Sequence, residues 1–113
     1  MAYILCDSTA RDNEIMTDCF SLYNDFEVAS QARFDIYGNY WHRYKVQDFN
    51  YNGKFYVTQT KGCLDSGWLN GDAFNNEIDA YVAVGDMCVA TEVVEVIVNE
   101  DNCLEGKVIL TVD

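Results

Sequence analysis

No proline interrupts this chain, and its seven glycines are scattered singly. Nothing in it resembles a linker, because flexible or stiff spacers need runs of Gly, Ser or Pro. The 113 residues therefore read as one continuous domain, residues 1–113. Half of the residues are apolar, too many for a disordered chain. A domain of this size should fold to an accessible surface of roughly 6,300 Å², burying about two-thirds of the extended chain. No apolar run approaches the ~18 residues of a membrane span. The segment Met1 to Asp7 has neither the basic start nor the apolar stretch of a secretory signal.

Hydrophobic spacing predicts the order β-α-β-β-β-α-β-β. Tyr3 to Cys6 reads as a first strand. Ile15, Cys19, Leu22 and Phe26 fall on one helical face, with Ser8, Thr9 and Asp12 as caps, which predicts a helix over 10–25. Val28, Ala32, Phe34 and Ile36 alternate with charged residues and predict a strand. After the turn signal Gly38-Asn39, Tyr40 to Gln47 predicts the next strand. Asn52-Gly53 then predicts a tight hairpin leading into Phe55 to Thr60. Residues 28–61 thus read as a three-stranded meander. Gly62 to Gly71 reads as a loop holding Trp68, with Asp72 capping a second helix that ends at Gly85. Cys88 to Val98 and Val108 to Val112 predict strands joined by an acidic turn. The fold class is α+β: an antiparallel, or mixed, sheet of about five to six strands with two helices packed on it.

The five cysteines are odd in number and widely spaced, without a Cys-x-x-Cys pair. That pattern reads as reduced thiols in a cytoplasmic protein. The single histidine, His42, has no sequence neighbours at metal-ligand spacing, and the glycines form no phosphate-binding motif. The oxygen-rich loop of Asn99, Glu100, Asp101, Asn102 and Glu105 lacks the spacing of a calcium loop and reads as a solvated turn. No metal or other cofactor is expected. An enzymatic reading would need a thiol such as Cys63 to meet His42 in space.

Charge is the remaining signal. The net charge is −12, and it is unevenly spread. Residues 62–113 carry eleven acids against Lys107 alone, whereas residues 33–61 carry five bases against two acids. Such a body is repelled by nucleic-acid phosphates and anionic lipid, and attracted to basic surfaces. The expected contact residues are Asp72, Glu77, Asp79, Asp86, Glu92, Glu95, Glu100, Asp101 and Glu105, read as one negative face. Trp41 and Arg43 join them, because they interleave aromatic and basic character in the positive segment. The fragment Tyr51-Asn52-Gly53-Lys54, followed by Gly67-Trp68 and an acidic segment, resembles pieces of anti-restriction DNA mimics. The pieces stand further apart here, and no residue role is carried over.

The sequence points to a small non-enzymatic inhibitor or regulator that binds a basic, nucleic-acid-handling protein by charge mimicry or steric occlusion. This is the anti-restriction or anti-CRISPR type carried by phages and mobile elements. It would bind neither nucleic acid nor membrane directly. The alternative is a structural or accessory module, such as a virion component, that self-associates as a homodimer or larger assembly through a sheet edge.

Overall fold

The computed structural model describes residues 2–51 and 53–113. The chain is α+β, with two α-helices packed on antiparallel sheets. Its strands are β1 (Ala2–Asp7), β2 (Glu14–Thr17), β3 (Tyr44–Phe49), β4 (Phe55–Thr60), β5 (Leu69–Phe74), β6 (Thr91–Val98) and β7 (Leu104–Val112). The helices are α1 (Phe26–Tyr37) and α2 (Glu77–Val84), and a 3-10 helix, Gly38–Arg43, follows α1. β1 and β3 form a two-stranded sheet, and the other five strands form a second sheet in the order β2-β5-β4-β6-β7. The accessible surface of 6574 Å² is close to the expectation from size.

Strand alternation sorts the side chains into layers. Ile4 and Cys6 of β1 share a core with Ile15, Phe55, Val57, Leu69, Val94 and Val96 of the large sheet. Leu5 points the other way and is also fully buried. On that outer face α1 packs against β1 and β3, the Phe26 ring meets Tyr3 edge-on, and Tyr37 stacks on Tyr44. On the far face of the large sheet, Ala80 of α2 packs with Tyr56 and Val93 to make a second core. The molecule is thus four layers: α1, the small sheet, the large sheet, α2.

The helices differ from the sequence expectation in position. Residues 10–25 hold no helix. The Thr17 hydroxyl donates to the Cys19 carbonyl and accepts from the Cys19 amide, a local alternative to helical bonding. Ile15 and Thr17 are buried while Glu14 and Met16 are half-exposed, and this four-residue strand pairs with β5. The spacing of Ile15, Cys19, Leu22 and Phe26 was coincidental, since Phe26 is largely exposed. The helix forms over Phe26–Tyr37 instead, where a strand is expected from the alternation. Asp25 caps it by accepting from the Glu27 and Val28 amides. Ala29 is its buried contact, and Gly38, at φ 55, ends it.

The meander does not form either. β3 pairs with β1, and β4 pairs with β5 and β6. The connection from β3 to β4 thus links two sheets rather than the arms of a hairpin. Gly53 has φ 71, while Asn52 lies outside the described residues. Asn76, not Asp72, caps α2, and Asp72 lies in β5. β6 and β7 lie where strands were expected and pair with each other.

Candidate partner-binding surface

The acidic positions do not form one face. Five of them gather around α2. Glu77 and Asp79 lie in its first turn. Asp72 and Glu95 project from the large sheet on the same side as Tyr56 and Val93. Asp86 follows in the turn that begins at the helix end, where its amide bonds the Ala83 carbonyl. Glu100 and Asp101 occupy the β6–β7 turn, with Glu105 in β7.

Glu92 departs from the expectation altogether. It is only 4% exposed and is not a surface acid. Its carboxylate accepts from the Gly62 amide at 2.7 Å, the Leu64 amide at 3.1 Å and Gln59 Nε2 at 2.8 Å. Period-two alternation places Glu92 on the core side with Val94 and Val96. A charge buried there survives only because these donors surround it. Its role is to hold the 61–68 loop onto the sheet. The sequence showed only a carboxylate in a Val-rich strand, and counting two residues back from Val94 would have placed it inside.

The acids around α2 differ in availability. Arg11 Nη2 lies 3.3 Å from Asp72, and Lys54 lies 3.6 Å from Glu95. Glu77 accepts from the Tyr81 hydroxyl, and Asp79 accepts from Asn76 Nδ2 at 2.8 Å. Between these carboxylates α2 presents two bare aliphatic side chains, Ile78 at 72% and Val82 at 68% exposure. They stand one turn apart on the outer face, and Val89 is exposed just beyond the helix. The core contact is Ala80, which leaves Ile78 and Val82 facing solvent.

Trp41 and Arg43 lie in the 3-10 helix, in the α1 layer and thus on the opposite side of the molecule from α2. Trp41 packs on Phe34 with ring centroids 4.9 Å apart. Arg33 lies over both rings, and Arg43 lies over Tyr40. This aromatic group is exposed, but its cations are engaged with its own rings.

The cysteines are all free thiols. Burial pushes the Cys63 thiol up, and the nearby Glu92 carboxylate adds to the shift. That direction holds the thiol protonated and unreactive. No helix among the described residues is long and apolar enough to cross a membrane. No protein-family model, curated protein or solved structure matches the chain.

Proposed function

We propose that this chain is a non-enzymatic binding protein that occludes a basic, nucleic-acid-handling partner, the inhibitor type carried by phages and mobile elements. The observation that carries this reading is the outer face of α2. Ile78 and Val82 supply apolar contact area, and Glu77, Asp79 and Asp86 border it with negative charge. An apolar centre with a charged rim is the anatomy of a protein-docking patch. The sign of the rim selects a basic partner and speeds its encounter. Steric occlusion fits better than imitation of a phosphate backbone, because the acids split into separate groups and Glu92 is buried. Self-association through β7 is the weaker reading. That strand carries Lys107 and a bulge between its pairings with Val93 and Val94, two devices that blunt an edge.

The test is affinity capture from host lysate with the native chain and an Ile78→Ser/Val82→Ser variant, at low and high salt. The reading predicts that the native chain retains a basic nucleic-acid-handling protein, less at high salt, and that the variant loses it. Equal retention by the variant contradicts the reading, as does retention of acidic proteins alone.

A further inference from the structure

We propose that the open edge of β3 is a strand-addition site for an extended, basic segment of a partner protein, a site separate from the α2 face. Among the described residues, β3 has β1 on one side and no strand on the other. The Tyr44 carbonyl points to the open side, where it accepts from Arg33 Nη1 at 3.1 Å. Period-two alternation then turns the amides and carbonyls of Val46 and Asp48 outward as well. Among the described residues these groups bond no backbone outside the sheet, so they offer the ladder that an added strand needs.

A cleft of about 450 Å³ runs beside this edge, lined by Asp12, Lys45, Val46, Gln47, Asp48 and Asn50. Gln47 Oε1 is buried there without a hydrogen-bond partner, an uncompensated acceptor that calls for a donor. Asp12 and Asp48 are exposed and, among the described residues, lie in no ion pair. The one cation of the cleft, Lys45, already donates to the Ala10 carbonyl at 2.6 Å. The unused side-chain groups are therefore acceptors and carboxylates, which match Lys or Arg side chains on an incoming strand. A second copy of this chain is a poor occupant, because each copy carries −12 and the bodies repel. The β7 edge is blunted by Lys107 and a bulge, whereas β3 has neither proline nor bulge.

The test uses a fluorescent short peptide of alternating Lys and Val, with a Glu/Val peptide as control. Anisotropy measures affinity, and amide hydrogen exchange locates the contact. The Lys/Val peptide should bind saturably and slow exchange at Val46 and Asp48, while the Glu/Val peptide should not bind. Val46→Pro removes an outward N–H that an edge strand can spare, and it should weaken binding about tenfold or more. Asp12→Asn with Asp48→Asn, which leaves the backbone intact, should weaken binding and flatten its salt dependence. Ile78→Ser should change nothing here, which separates this site from the α2 face. Absence of saturable binding would overturn the proposal. So would binding that leaves exchange at Val46 and Asp48 unchanged, or protection of these amides by self-association without peptide.

Discussion

The loop over Glu92 and the outer face of α2 use the same side chain in opposite ways. At Glu92 a carboxylate is enclosed, and three donors satisfy it. Around α2 the carboxylates of Glu77, Asp79 and Asp86 stand in water beside bare Ile78 and Val82. The formal charge is identical, but the consequences differ. Removing the first should cost folding energy, because donors are left without partners. Removing the second should cost little stability, because exposed charges in a chain of −12 mostly repel one another. Acidity in this protein is therefore divided between the interior, at Glu92, and the exposed surface around α2.

The interior side of this comparison breaks most severely at Gly71. A Cβ there would lie 1.8 Å from the Thr58 carbonyl oxygen, so β4 and β5 could not keep their register. Gly71→Ala should destabilise by about 3 kcal/mol or more. A melting temperature within a few degrees of native would refute that close approach. Next is Glu92→Ala, which leaves the Gly62 and Leu64 amides and Gln59 Nε2 without their acceptor. It should cost about 2–3 kcal/mol and raise hydrogen exchange in the 61–68 loop. Native stability in that variant would collapse the contrast with α2.

Alkaline pH sharpens the comparison without mutation. Burial raises Tyr37 above the ordinary tyrosine value of 10.0, with Asp18 adding to the shift. Burial also pushes Tyr23 up to about 12, reinforced by Cys19, and raises Tyr44 and Tyr51. A raised folded-state value means that the native state holds its proton longer than the unfolded chain. The associated stability is fully present below about pH 10 and is lost as pH rises through the folded values. Denaturant midpoints should fall steadily above about pH 10. A flat profile there would show that these phenols are not held in the packed layers. The smallest effect belongs to the contact side. Glu77→Gln, Asp79→Asn and Asp86→Asn together should change stability by no more than about 0.5 kcal/mol.

Legibility in the sequence followed the same division between local and distant causes. β6 and β7 were readable because Val-rich alternation and the Asn99–Asn102 turn are local signals. In that turn Asn99 Oδ1 accepts from the amides of Asp101 and Cys103. The first half was misread because its periodicities were ambiguous. The true start signal of α1 was Asp25 ahead of a run with few β-branched residues, and it lost to the apparent alternation of Val28, Phe34 and Ile36. Asn52-Gly53 has the composition of a hairpin turn, but the pairing of β3 with β1 depends on residues some forty positions away. At the surface, the acidic excess was legible and its partition was not. Burial of Glu92 depends on which face of β6 meets the core. Exposure of Ile78 depends on α2 being too short and too apolar for its helix to bury every large side chain.

In the proposed reading, the α2 face docks a basic partner through apolar contact and an acidic rim. The most direct test is the rate of association with the captured partner, measured against ionic strength. The Glu77→Gln/Asp79→Asn/Asp86→Asn variant should associate about tenfold more slowly at low salt and lose most of its salt dependence. A matched Glu100→Gln/Asp101→Asn variant should remain close to native. If the α2 variant keeps the native rate and salt slope while the Glu100/Asp101 variant loses both, the docking face is the β6–β7 turn and the claim is wrong.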